Sequence, residues 1–319
     1  SLVGSEMCIR DSLCSIQYYM KEFLKSMYQI ISDSACDLSS QYIKEHNITI
    51  VPISVSFDGE TYYRDSIDIS RQECYQKMVD DPKLFPKTSL PSVESYADTF
   101  RQFTDQGIPV ICFTISLALS GSYNSARTAK ELIEEENPNA QITVLDSQQN
   151  TVTQALILDQ VVRMRDAGIS FENMLEKMEK LMHSARIIFT VGSLDYLQKG
   201  GRIGKVAVAA TGKLGVKPII IMKDGEIGLG GIGRNRNKLK NSIIQVTKKY
   251  LEENGKDNFV VSVGYGYDAA EGVSFMNAVE EGLDVKLNSE TNVAIGIVSA
   301  VHTGPYAIGI GVIQKYETL

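Results

Sequence analysis

A threefold recurrence of short apolar run, polar turn and longer periodic segment constrains the fold of this chain most strongly. The apolar runs are YQIISDS, PVICFTIS and QITVLDS, and each leads through a polar or Ser-containing turn into a segment with helical spacing. Strands that alternate with helices in this way are typical of βα units around a mostly parallel sheet. We therefore predict an α/β protein whose first domain has a Rossmann-like, mostly parallel sheet.

Local signals place the helices of this first half. Asp37 is predicted to cap a helix over residues 38–45, and Ser70 with Glu73 has the spacing of a capping box. Three more helices are predicted here. The first begins near Val93, after a loop KTSLPS, and the other two cover residues 123–136 and 151–166, with Gly168 closing the last.

The composition of the turns changes after Ser184. Four strand candidates follow, RIIFTVGS, KPIIIMKDGEIG, NFVVSVGYG and TNVAIGIVSAV, with helices predicted over 237–253 and 268–281. Asp224-Gly225 between apolar flanks indicates a hairpin, so this half should contain antiparallel pairing. We predict an N-terminal α/β domain over 28–183 and a C-terminal α/β domain with a mixed sheet over 184–319, with a ligand between the two.

Residues 1–27 are predicted to be a non-native or disordered leader. They lack the apolar stretch of a secretory signal, and SLVGSEMCIRDS resembles a translated adapter sequence, with Met20 and Met27 as alternative starts of the domain proper. No apolar run approaches the ~18 residues that span a bilayer, so no stable membrane insertion is expected, and transient membrane contact stays open.

Charge and cysteine content narrow the function classes. A net charge of -7 and a pI near 5.2 argue against a protein that neutralises the phosphates of nucleic acid or anionic lipid. The five cysteines are widely spaced and contain no CxxC, which predicts reduced thiols in a cytoplasmic protein and no zinc site.

Hydroxyl-rich loops after the strands are the candidate binding elements of the first half. In such sheets, ligands lie at the carboxyl ends of the strands, where helix N-termini present free N–H groups. These loops contain Ser32-Asp33-Ser34, Thr88-Ser89, Ser116 and Ser120-Gly121. Ser and Thr are also preferred helix caps, and only Ser120-Gly121, where glycine allows close backbone approach, favours an anion-binding loop.

The second half adds two candidate segments. Gly200-Gly201 precedes Arg202, whose guanidinium suits a carboxylate or phosphate, and His302-Thr303 is predicted to follow the end of a strand. A structural ion pair for Arg202 and an ordinary loop histidine are the alternatives. The GxGxxG match at residues 228–233 lies on a hairpin arm, which argues against a dinucleotide site.

Eight motifs in order resemble the DegV family: SDSACDLS, TSLPS, LSGSYNSA, LDS, YLQKGGRI, GKLGVKPI, GRNR and HTGPYAIG. The resemblance covers residues 28 to about 316. The family commonly has TSQPS, LSGTY and HTGPGA, so this chain departs from it at Leu90, Ser122 and Tyr306. Tyr306 is the departure that could alter the pocket mouth.

The resemblance implies a fatty-acid-binding protein, as in the FakB-type subunits that hand a bound fatty acid to a fatty acid kinase for acyl phosphate formation. It implies that Thr88 and Ser120 hold the carboxylate and that Arg202 lies on the surface that meets the kinase. It implies no catalytic residue, metal or cofactor. The supporting polar network is predicted to comprise Ser89, Gly121, His302 and Thr303.

Two other functions stay open at this point. Ser120 with His302 could form an acyl hydrolase or transferase, although the GxSxG elbow is missing. A lipid-sensing regulatory protein is the other alternative.

Overall fold

The computed structural model describes residues 27–207 and 217–319, so all but the last residue of the predicted leader, and most of the GKLGVKPI motif, lie outside the described residues. The first half comprises β1 (Gln29–Asp33), α1 (Ser40–Glu45), β2 (Ile48–Val51), β3 (Ser54–Ser56), β4 (Tyr63–Arg64), α2 (Arg71–Asp80), β5 (Lys87–Ser89), α3 (Val93–Thr104), β6 (Val110–Thr114), α4 (Ser122–Glu136), β7 (Ile142–Asp146), α5 (Thr151–Asp166) and α6 (Phe171–Ser184).

A four-stranded parallel sheet lies at the centre of this half, in the order β2-β1-β6-β7. Strands β1 and β6 are fully buried, as is typical of a parallel sheet covered on both faces. The predicted α/β class and parallel first sheet are thereby confirmed.

Most predicted helix signals are confirmed, with one exception. Ser70 and Glu73 form both bonds of the capping box, and Gly168 follows α5 with a φ of +77°. The predicted cap at Asp37 is wrong: α1 begins two residues later, and Ser39 caps it by accepting a hydrogen bond from the Tyr42 amide. Asp37 instead takes the left-handed conformation that ends a 3-10 turn over Ser34–Cys36.

A small antiparallel sheet, β4-β3-β5, was not predicted. The stretch KTSLPS was expected to be a loop, but its first residues form β5, in which Thr88 pairs with Val55. Strands of two or three residues carry almost no periodic signal, and this sheet depends on contacts between distant segments.

The second half comprises β8 (Arg186–Thr190), α7 (Asp195–Lys199), β9 (Lys217–Lys223), β10 (Glu226–Gly233), α8 (Arg236–Asn254), β11 (Phe259–Tyr265), α9 (Ala269–Leu283), β12 (Val293–Ala294), α10 (Ile297–Thr303) and β13 (Ile308–Gln314). They form a six-stranded mixed sheet, β10-β9-β8-β13-β11-β12. The predicted hairpin joins β9 to β10, and both turn residues have positive φ, +49° at Asp224 and +84° at Gly225.

The prediction of a long fourth strand over TNVAIGIVSAV is wrong. Only Val293–Ala294 pair as a strand, and helix α10 begins at Ile297 and carries His302 near its end. The long strand in this region is β13, which follows the HTGP turn. Helix α10 is buried on nearly every side, so its apolar run has no helical periodicity to distinguish it from a buried strand.

Helix α5 lies between the two large sheets. Thirteen of its first fourteen residues are buried, and Arg163 is the exposed one. Its side chains share one apolar cluster with Phe113 of the parallel sheet and with Ile187 and Ile313 of the mixed sheet. The predicted boundary between residues 183 and 184 therefore stays a prediction, because a continuous core extends across it.

Candidate functional site

Thr88 and His302 meet at one end of an internal cavity, although 214 positions separate them in the chain. Thr88 is the middle residue of β5, and His302 is the penultimate residue of α10. Their side chains form a hydrogen bond of 3.0 Å between Oγ1 and Nε2. The unpredicted small sheet and the unpredicted helix thus bring the two residues together.

His302 is held as a neutral imidazole. Burial, with a smaller contribution from the Arg202 guanidinium, lowers the pKa of His302 to about 4. Its Nδ1 has no hydrogen-bond partner within the described residues. Gly200 lies so close that a Cβ there would approach Nδ1 to 2.3 Å, so the absence of a side chain at Gly200 makes room for the ring.

Ser120 lines the same cavity from the loop between β6 and α4. Its hydroxyl forms a 2.9 Å hydrogen bond with the Ser122 hydroxyl and accepts a 3.3 Å hydrogen bond from the Ser122 amide. The side chain is part-buried, and these two hydrogen bonds hold its oxygen at the cavity wall.

Arg202 lines the cavity as well and links the two halves of the chain. Its Nε donates a 3.0 Å hydrogen bond to the carbonyl of Leu119, and its Nη1 donates a 2.6 Å hydrogen bond to the carbonyl of Gly200. The guanidinium is therefore at the polar end of the cavity, beside the loop that carries Ser120.

The four residues of the predicted supporting network divide into two pairs. His302 and Thr303 line the cavity, and the Thr303 hydroxyl donates to the Ser299 carbonyl at 2.8 Å. Ser89 is exposed at the end of β5, and Gly121 precedes α4, so neither is part of the lining.

Several lining residues had no distinguishing signal in the sequence. Asn150 and Ser299 add polar atoms, 3.5 Å apart at Nδ2 and Oγ. The remaining wall is apolar and includes Ile53, Ile115, Leu119, Phe189, Leu197, Met222, Ile227 and Val298. A polar end with hydroxyl, imidazole and guanidinium groups continuing into an apolar interior suits an amphiphile with an anionic head.

The other hydroxyl-rich loops have structural roles. Ser32 donates to the Phe113 carbonyl at 3.0 Å, and Ser34 accepts from the Ile53 amide at 3.1 Å. Ser116 donates to the Gly225 carbonyl at 2.9 Å, which attaches the β9–β10 turn to the first half. These serines are not in the cavity lining.

The carboxylate of Asp33 connects three segments near the cavity through hydrogen bonds. It is fully buried and accepts hydrogen bonds from the Ile115 amide at 2.8 Å, the Gln154 side chain at 3.0 Å and the Ala35 amide at 3.3 Å. Burial raises the pKa of Asp33 to about 6, against the lowering effect of these donors. Its three donors belong to three different segments of the first half.

Asp37 lies against the start of the helix that carries His302. A Cβ on Gly296, the residue before α10, would approach the Asp37 Oδ1 to 2.2 Å. Burial raises the pKa of Asp37 from 3.8 to about 7. Between these two values the folded state keeps a proton that the unfolded state releases, so this group lowers the stability as the pH rises.

We expect Asp37→Asn to flatten this pH dependence. Relative to the wild type, the free energy of unfolding of the variant should rise by up to about 4 kcal/mol from about pH 4 to about pH 8, since the neutral amide does not ionise. Urea unfolding across this range measures the difference, and His302 titrates in both proteins, so its contribution cancels. A difference that is constant with pH would contradict the assignment.

A larger depression lies at the opposite end of α5. It measures about 750 Å³, is open to solvent and is lined by mixed charges such as Arg163, Asp159, Lys256 and Lys315. None of the predicted site residues is in its lining.

The geometry does not favour acyl hydrolysis by Ser120 and His302. The imidazole bonds Thr88, whereas Ser120 bonds Ser122. A nucleophile and its general base act through a mutual hydrogen bond, and here each of the two side chains bonds another partner.

The family model described as "Uncharacterised protein, DegV family" matches residues 27–315. The chain belongs to the DegV family. Among curated DegV proteins, the DegV domain-containing protein SA1258 of Staphylococcus aureus is 30% identical over 288 residues, covering 90% of this chain and 98% of the relative.

Solved DegV structures share the fold. A stearic acid-binding protein from Eubacterium ventriosum is 74% identical, with a TM-score of 0.90 and coverage of 92% of this chain and 100% of that one. A fatty-acid-binding DegV protein from Thermus thermophilus is 26% identical, with a TM-score of 0.81 and coverage of 90% and 99%.

Within residues 27–207 and 217–319, no helix is both long and apolar enough to cross a membrane. The same ranges contain no group of three or more His, Cys, Asp or Glu that could hold a metal ion.

Proposed function

We propose that this DegV protein binds a long-chain fatty acid and presents its carboxylate to a separate fatty acid kinase, which forms acyl phosphate for phospholipid synthesis. The observation that carries the proposal is the cavity itself, with Thr88, Ser120, His302 and Arg202 at one end and apolar side chains beyond. The stearic acid-binding relative at 74% identity supports the same ligand class.

The hydrogen-bond arrangement explains how a carboxylate would be held. With its proton on Nε2, neutral His302 donates to Thr88, which leaves the threonine proton free to donate to the ligand. Ser120 supplies a second hydroxyl donor, and Arg202 supplies positive charge nearby. Such charge-assisted bonds offset the cost of burying a carboxylate.

The tail supplies most of the affinity. Each buried methylene contributes about 0.8 kcal/mol, so a long acyl chain yields on the order of 10 kcal/mol before entropic costs. In this proposal the protein binds the fatty acid, and the kinase carries out the phosphoryl transfer. We place this carrier in the cytoplasm, where a kinase would have ATP.

Mass spectrometry of lipid extracted from the purified protein tests the ligand. We expect a long-chain fatty acid in near-equimolar amount. Absence of lipid after gentle purification, together with no binding of added palmitate or stearate, would contradict the proposal.

A kinase assay tests the partner separately. Acyl phosphate should form from ATP and fatty acid only when both the loaded protein and a fatty acid kinase are present. If the protein binds fatty acid but acyl phosphate formation does not depend on it, the proposed ligand stands and the proposed kinase partner is wrong.

A further inference from the structure

A second, smaller cavity adjoins the first, and Thr88 lines only the first of the two. Four residues, Asn150, Phe189, Ser299 and Thr303, line both cavities, and Phe189 is the only large side chain among them. The first cavity has a volume of about 60 Å³ and the second about 30 Å³, which is less than a long acyl chain occupies, so the surrounding side chains have to move apart to admit one. The ring of Phe189 is therefore at the junction of the two.

The second cavity exists because two glycines are adjacent on the mixed sheet. Gly309 of β13 pairs directly with Phe189 of β8 on one side and with Gly264 of β11 on the other. Directly paired residues project to the same face of a sheet, so the row presents one aromatic ring followed by two positions without side chains. Both glycines line the second cavity.

The two glycines differ in what they tolerate. A Cβ on Gly309 would approach the Phe189 Cβ to 2.4 Å and the Ile188 carbonyl oxygen to 2.7 Å, so this position has no room for a side chain. A Cβ on Gly264 would meet Ile295 and Val152 at 3.5 Å, an ordinary contact distance. A larger side chain at Gly264 can therefore occupy the cavity without displacing backbone.

We propose that the Phe189-Gly309-Gly264 row sets the longest acyl chain that this protein accepts. The space above Gly309 and Gly264 receives the methyl end of the ligand. The ring of Phe189 lies at the entrance to this space and limits the passage of the acyl chain. This inference rests on the proposed fatty-acid function and adds a specificity-determining element to it.

Gly264→Val tests the inference. Each methylene excluded from the cavity lowers the affinity about fourfold, so we expect stearate binding to weaken at least about tenfold while laurate binding stays within about twofold. Phe189→Ala, which opens the junction, should shift the preference towards longer acids. Affinities for saturated acids from laurate to arachidate, measured by competition with a fluorescent fatty acid, give the profile.

A matched control separates chain-length selection from general damage. Gly228→Val places the same side chain on β10, where, among the residues that the structure describes, a Cβ would have the Ile221 carbonyl oxygen alone within 4 Å, at 3.9 Å, and it should leave the profile unchanged. If Gly264→Val binds stearate and laurate in the wild-type ratio, the inference is overturned. If the wild type binds none of the acids, the proposed function itself fails.

Discussion

Replacing Thr88 and Ser120 together with alanine is expected to lower the affinity for a long-chain fatty acid by at least about a hundredfold. A hydrogen bond to a charged group is worth about 1.5–3 kcal/mol, or about ten- to a hundredfold in affinity. The double variant removes both hydroxyl donors at the polar end of the cavity, so a carboxylate there would be buried with too few partners. Titration calorimetry with palmitate measures the loss.

Two further variants distinguish the loss of the hydroxyl donors from a general effect of substitution. Thr88→Ser keeps the hydroxyl and should bind within a few-fold of the wild type. Ser95→Ala with Thr99→Ala removes the same two residue types from α3, outside the cavity lining, and should leave the affinity unchanged. Wild-type affinity in the Thr88/Ser120 variant would show that the carboxylate binds elsewhere.

The largest effect on stability is expected from Asp33→Ala, which should lower the free energy of unfolding by roughly 3–5 kcal/mol. The substitution leaves the Ile115 amide, the Gln154 side chain and the Ala35 amide without their acceptor in a dry interior. Urea denaturation near pH 5 measures the change, because below its folded-state pKa of about 6 Asp33 is protonated and the cost of burying its charge does not offset the loss.

Two control variants separate the loss of the buried acceptor from the loss of a carboxylate in general. Asp105→Ala removes a carboxylate at an exposed helix end and should change the stability by less than about 1 kcal/mol. Asp33→Asn keeps one acceptor oxygen and should fall between the wild type and alanine. A loss for Asp33→Ala as small as that for Asp105→Ala would mean that these buried donors find other partners.

The sequence predicted the parts of the fold that depend on local pattern. Strands β1, β6 and β7 and the helices after them were predictable because each strand is a short apolar run followed by a polar turn. Helix α10 was missed because burial on all sides removes its periodicity. Strands β4 and β5 were missed because strands of two or three residues carry almost no periodic signal.

Part of the site was predictable from local motifs. The TSLPS and LSGS motifs predicted Thr88 and Ser120, and both residues line the cavity together with His302 and Arg202. The row formed by Phe189, Gly309 and Gly264 could not be predicted, because its members are neighbours only through the register of β8, β13 and β11. No local pattern encodes that register.

Helix α5 also bears on how a ligand enters and leaves. Many two-lobed binding proteins exchange ligand by hinge bending, in which the lobes separate along the cleft. Here such a separation would expose a helix whose side chains are buried against both sheets. The rate of ligand exchange should therefore depend on small local rearrangements at the rim of the cavity, and the protein should unfold in one cooperative transition.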